Sequence, residues 1–426
     1  MRPFVSAATI DREVRAMKRL SRRRVCALVL AGAAVVVAGL SGAAGAASTR
    51  AVSSDVGPVI EFWDGATWTE QASANPEGSA SLTAVAALSA TDVWAVGSYG
   101  VGGQDGKALA EHWDGSSWQQ VPIPTPQGAN EVHLNGLSAV SPTNIWAVGS
   151  WAGVFTGPVE GYPYFLLIEH WDGNSWTIVR SPSPGVSKQL SGVVALSADD
   201  AWAVGYYQFE SHQTILSRTL ALHWNGTAWR RVASPHPGPR QYQGSTLSDV
   251  AAMSRKSVWA VGTYVARVQG RHFANRALTV HWNGKTWKQV SSSTPRASGG
   301  LAAVAVVGPD DVWAVGSYHN GHGGRVLTER WNGHSWRTVP AHTGEEDASY
   351  QTLTSLAVLA PDDIWAVGSY GAYDTGDQTL SEHWNGQAWS VVPSPNPDPP
   401  LGGSFSAVAA TSPTSVWVVG DFYPEG

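Results

Sequence analysis

Glu111-His112, Glu169-His170 and Glu382-His383 are the dipeptides of this chain best equipped, by residue type, to move a proton or hold a metal ion. Their setting argues for packing instead. Each lies in an apolar stretch that reads as a β-strand, where neighbouring side chains point to opposite faces and do not converge on one atom. At corresponding positions the Glu becomes Leu222 or Val280 and the His becomes Phe62 or Arg330. Such exchanges suit a contact between repeated units. A second series suits ligand binding better: Tyr99, Trp151, Tyr207, Tyr264, Tyr318, Tyr370 and Phe422 each follow a repeated glycine by two residues. An aromatic face there either stacks on a sugar or apolar ligand or plugs the core beneath a loop.

Phe155, Tyr162, Tyr164, His272, Phe273, His319, His322 and Tyr373 break the repeat and are candidates for contacts particular to one unit. His319 and His322 in HNGHGG, and Tyr373-Asp374 with Asp377, have donor types that zinc or calcium uses. Side chains in Gly-rich loops are more often simply solvated, and neither a metal nor a cofactor is expected. The chain has no nucleophile elbow, HExxH, phosphate loop or dinucleotide fingerprint. A glycosidase that gathers its two carboxylates from different units stays open, because sequence spacing does not reveal such a pair.

The elements that position these residues are repeats. Fourteen of the 22 tryptophans stand in seven copies of one cassette, from FWDGATW at Phe62 to HWNGQAW at His383. A second cassette, DVWAVG and its variants, is centred on Trp94, Trp146, Trp202, Trp259, Trp313, Trp365 and Trp417. Its spacing runs from 52 residues (Trp94 to Trp146) to 57 (Trp202 to Trp259), the period of a four-stranded propeller blade. The series opens on one cassette and closes on the other. This predicts an all-β, seven-bladed β-propeller over 58–426, with strands c and d from residues 58–70 pairing with strands a and b from 404–421.

Within a blade, strand a carries Leu82, Leu134, Leu190, Leu247, Leu301, Leu353 or Phe405, and strand b is the WAVG segment. Asp92, Asn144, Asp200, Asp311 and Asp363 open strand b, where they are expected to accept backbone hydrogen bonds. Strand c ends at the HW or RW pair. The Asp-Gly or Asn-Gly that follows predicts a type I′ hairpin into strand d, and prolines after strand d read as edge protection. This order places the short a–b and c–d turns on one face of the disc. The longer b–c and d–a connections fall on the other: 101–107, 152–163, 208–217, 265–275, 319–325, 371–377 and segments such as 341–351. Binding is expected on that second face.

The layout VWAVG, a variable gap, then W(D/N)G.(S/T)W resembles the tectonin repeat of bacterial lectin-type propellers and, more loosely, kelch repeats; it covers residues 59–422. The resemblance implies carbohydrate or surface-ligand binding. The kelch double glycine, the WD-repeat signature and a sialidase Asp-box with its arginine triad are absent.

Arg22, Arg23 and Arg24, the apolar run from Val25 to Leu40 and small residues to Ala46 read as an export signal over 1–46. Met17 is an alternative start, SRRRV resembles a twin-arginine motif, and 47–57 reads as a linker. The single cysteine, Cys26, lies inside the signal, so the exported chain has no thiol. Removing 1–46 takes eight basic and two acidic groups from the 27 and 33 of the whole chain, leaving a net charge near −12. Nucleic acid is a poor partner for such a surface. The expected product is secreted or held at the cell surface, monomeric and without a membrane span, with a glycan or other surface ligand as partner. The alternatives are a polysaccharide hydrolase or lyase, and a structural envelope protein.

Overall fold

The computed structural model describes residues 56–74, 78–101, 104–153, 163–211, 214–238, 244–268, 272–294, 298–319, 321, 323–341, 348–372, 376–395 and 402–423. The expected signal and most of the expected linker lie outside them. The described strands form seven four-stranded antiparallel sheets. Blades 1 to 6 span 79–120, 129–178, 187–232, 245–290, 298–338 and 350–391. Each strand a contacts the strand a of the next blade, and the series returns from blade 7 to blade 1.

Blade 7 is built from both chain ends, as expected. Its strands a and b are Gly402–Ser412 and Ser415–Tyr423; its strands c and d are Gly57–Trp63 and Trp68–Glu70. Gly57 pairs with Phe422 and Trp63 with Val416, so the hairpin closes the ring along a full strand.

Tryptophan joins the blades. At every junction the strand-b Trp of one blade packs against the strand-c and strand-d Trp of the next, as Trp94 does with Trp171 at 4.9 Å and Trp176 at 5.8 Å. Trp417 completes the series on Trp113 and Trp118 at 5.0 and 5.5 Å. Seven such triads use 21 of the 22 tryptophans; Trp151 is the remaining one. Trp313 and Trp389 bury their indole nitrogens with no acceptor among the described residues, their rings set at 84°, an arrangement the aromatic quadrupole favours. Trp313→Ala is expected to cost about 3–5 kcal/mol in urea unfolding, from lost burial plus the cavity left behind. A loss below about 1 kcal/mol would show that the triads do not hold the blades together.

The WAVG glycine answers to a close approach. A Cβ on Gly97 would lie 1.9 Å from the Ser81 carbonyl oxygen, and the six equivalent glycines meet the same carbonyl at 1.8–2.2 Å. Strand a slips by one residue beside it in every blade, between Leu82 and Ala84 and at the equivalent points, which bends that strand along the axis.

Three local expectations need correction. The c–d connection is a four-residue loop closed by a Trp–Trp pair such as Trp63 with Trp68, not a two-residue type I′ turn. Its first residue bends the chain: Asp64 Oδ1 accepts the amide N–H of Ala66 and Thr67 at 2.8 and 2.9 Å, and Gly65 follows at φ 100°. The residues opening strand b bond to strand-c side chains rather than to backbone, as detailed below. Finally, most long b–c connections are continuations of the strands: in blade 3 strand b runs to Ser211 and strand c starts at Thr214, because Phe209, Ile215 and their neighbours keep pairing.

Candidate functional site

The repeated Glu-His dipeptides are structural. Glu111, Glu169 and Glu382 are completely buried, and so are Glu61 and Glu329 at the same position. The expectation of a partly buried contact understates this. Glu111 accepts hydrogen bonds from Ser73 Oγ (2.8 Å) and the Ala74 amide (3.2 Å), which follow strand d of the preceding blade. Glu169 has no partner on either oxygen among the described residues. Burial pushes the carboxyls of Glu61, Glu169 and Glu382 up to about 8.

The neighbouring histidines point the other way and stack on the strand-b Trp: His112 lies 4.4 Å from Trp94 and its Nε2 is 2.9 Å from Asp92 Oδ1. His170 meets Asn144, His223 meets Asp200, and His383 meets Asp363 at 2.8–2.9 Å. Where His becomes Arg330, both Asp311 oxygens accept from it at 2.7 Å, and where Asp becomes Ser257 the hydroxyl meets His281 at 3.0 Å. In blade 7 Phe62 takes the stacking role on Trp417 at 4.7 Å. Exchange of one partner or the other with the contact kept is the mark of a packing contact.

All seven aromatics of the post-glycine series join the hydrophobic clusters packed between adjacent blades. Tyr207 and Phe422 are each only 6 % exposed. Arg231 covers Tyr207, its guanidinium 4.5 Å from the ring and donating to the phenol oxygen at 2.6 Å. Tyr99, Trp151, Tyr264, Tyr318 and Tyr370 are half-buried. A seven-fold array of open stacking platforms is therefore not formed, because the rings are drawn into the packing between blades.

Of the repeat-breaking residues, Phe155, Tyr162, His322, Tyr373 and Asp374 lie outside the described residues. Phe273 and His272 are exposed on the blade-4 hairpin, and Asp377 is half-buried, which raises its carboxyl. Tyr164 reaches strand a of its own blade: its hydroxyl donates to Glu131 Oε2 at 2.9 Å, while Glu131 Oε1 lies 2.6 Å from His133 Nε2. Burial first, and the Glu131 contact second, push the Tyr164 phenol up to about 12. Beside this group, Tyr206 donates to Gln189 at 3.1 Å.

A cleft of about 440 Å³ opens on the long-connection side of blade 5, between blades 4 and 6. Ser248, Thr263, Asn275, Ser317, Tyr318 and Thr352 give it hydroxyls, an amide and a phenol ring, His319 adds an imidazole, and no carboxylate lines it. Its floor is Gly299-Gly300, where the other blades carry pairs such as Val132-His133, Lys188-Gln189 and Gln351-Thr352. A Cβ on Gly300 would lie 2.2 Å from Thr263 Oγ1 and one on Gly299 2.8 Å from Tyr318 Cβ, so the glycines let these lining residues stand close. Nearer the axis, hydroxyls and one charged group, Asp249, line the channel. Burial raises the Asp249 carboxyl to about 6, and its Oδ2 accepts the Val304 amide of the next blade at 2.9 Å.

Of the candidates named from the sequence, Tyr318 and His319 line the cleft; Gly299-Gly300, Asn275 and the Glu131-His133 pair were not among them. The signal for them is departure from the repeat in strand a.

The fold is a seven-bladed β-propeller of the closed-ring kind, and among its described residues no helix is long and apolar enough to cross a membrane. No family model and no curated protein matches the chain. Solved structures with a similar fold include YCF48 from Cyanidioschyzon merolae, 14 % identical over 82 % of this chain and 97 % of that one, at TM-score 0.48. A polysaccharide lyase, the PL25 ulvan lyase, is 12 % identical over 78 % of this chain and 87 % of its own, at TM-score 0.48. The Trypanosoma rangeli sialidase is 10 % identical over 83 % of this chain and 56 % of its own, at TM-score 0.39. Identities this low speak to the fold alone.

Proposed function

We propose that the chain is an exported binding module that holds carbohydrate in the blade-5 cleft. One observation carries the reading: the cleft has the volume of a small-ligand site and a lining of hydroxyls, an amide, the Tyr318 ring and the His319 imidazole, with no carboxylate, a set suited to a polyhydroxylated ligand. The absence of any carboxylate from that lining favours binding over hydrolysis, which needs a pair of them. Export rests on the signal-like residues 22–46, and the carbohydrate reading agrees with the tectonin-type layout of the repeats.

A glycan array with the exported chain identifies the ligand, and titration calorimetry then tests the site. Tyr318→Ala and Asn275→Ala are each expected to weaken binding about tenfold, equivalent to about 1.4 kcal/mol. Ser116→Ala, in a c–d turn on the opposite face, is expected to change nothing. Unchanged affinity in both cleft variants, with their melting temperatures preserved, would remove the site from consideration. Release of sugar fragments on incubation would replace the binder reading with an enzyme.

A further inference from the structure

We infer that Glu131, His133 and Tyr164 of blade 2 form a binding site for a first-row divalent metal ion of the zinc or copper type. Residues two apart on a strand share a face, so the Glu-Val-His order of strand a points both donors the same way. The phenol that orients the carboxylate arrives through the sheet. Glu131 is in register with Ala152, and Ala152 with Tyr164, so the phenol reaches Glu131 across a strand-b residue that is only a methyl group.

The oxygen and nitrogen donors already converge, with Nε2 of His133 2.6 Å from Glu131 Oε1 and the Tyr164 hydroxyl 2.9 Å from Oε2. The His133 side chain is 37 % exposed and that of Glu131 26 %, which leaves an approach from solvent. No three His, Cys, Asp or Glu side chains gather among the described residues. Here there are two, backed by a phenol that fixes the carboxylate and leaves coordination positions for water or a ligand.

The comparison that matters is internal. His112 with Asp92, His223 with Asp200 and His383 with Asp363 are also imidazole–carboxylate pairs at 2.8–2.9 Å. Those three recur from blade to blade and stack on a strand-b Trp, which explains them as packing. Glu131 and His133 occur in one blade only, on the strand where other blades carry small or neutral residues such as Ser79 and Ser81, and among the described residues the His133 ring faces Tyr164 at 6.2 Å and no Trp. The repeat gives no structural reason for them.

An imidazole with a carboxylate suits zinc, copper or nickel, whereas magnesium and calcium prefer oxygen alone.

Zinc titrated into the metal-free full chain by calorimetry at pH 7 is expected to bind one per chain in a saturable isotherm. His133→Ala removes that binding, and Glu131→Gln weakens it at least tenfold. Tyr164→Phe, which takes away the hydrogen bond that orients the carboxylate, weakens it about tenfold. Copper added instead gives an electron paramagnetic resonance spectrum with one coordinated nitrogen, lost in His133→Ala. His223→Ala keeps both signals. The proposal is overturned if zinc shows no saturable binding, or if binding survives His133→Ala in a chain whose circular dichroism matches the parent.

Discussion

A chain ending at residue 401 is expected to lose the ring altogether. The cut removes strands a and b of blade 7 and leaves Gly57–Glu70 as a hairpin with no sheet to join. A lone two-stranded hairpin is marginal in water. The cut also removes Trp417, the partner of Trp113 and Trp118, and strips Phe405, Val416 and Val418 from the core shared with blade 6. Two opposed blade faces then stand open, and unpaired strand edges invite association between copies. Far-UV circular dichroism, gel filtration and limited proteolysis should report a chain that aggregates and is digested throughout. A truncated chain that melts cooperatively within a few degrees of the full one would show that the ring does not depend on this seam.

Stability is expected to fall steeply as pH rises from 6.5 to 8. Glu61, Glu169 and Glu382 have folded-state pKa values raised by burial from 4.5 to about 8. Between those values the folded chain holds protons that the unfolded chain has released, so each carboxyl favours folding at low pH and loses that advantage as pH climbs. Asp421 acts with the same sign up to about 7, with one buried oxygen that has no partner among the described residues, in blade 7 where the other blades have a hydroxyl such as Ser98 or Thr263. His170 and His281, lowered by burial, oppose the trend only below 6.5, and the exposed turn aspartates 64, 114 and 172 act only below 3.8. At about 1.4 kcal/mol per pKa unit the three glutamates together amount to several kcal/mol. Melting temperatures across this range test the claim, and Glu169→Gln should flatten the slope while raising stability at pH 8. A melting temperature that is level or rising from 6.5 to 8 would contradict it.

The sequence by itself determined the number of blades, the order of strands and the closure of the ring. Those properties are written in residues that recur, and recurrence at a blade-length period has few physical explanations. It also determined that the Glu-His dipeptides are packing, because exchanges such as His for Arg330 or Phe62 keep a stacking surface while discarding the chemistry. Turn geometry was less legible. Asp-Gly is compatible both with a two-residue turn and with the opening of a four-residue loop, and the Trp–Trp pair that decides between them is a cross-strand contact.

The site was legible least of all. Whether Tyr207 is open to a ligand depends on Arg231, 24 residues away, laying its guanidinium over the ring. That Gly299-Gly300 leave a cleft depends on Thr263 and Thr352 from the neighbouring blades standing around them. The meeting of Tyr164 with Glu131, 33 residues apart, depends on Ala152 being small enough to be crossed. Repeats encode a period, and a period fixes what every blade shares. A site is made where one blade departs from its neighbours, and only packing in three dimensions decides which departures face one another.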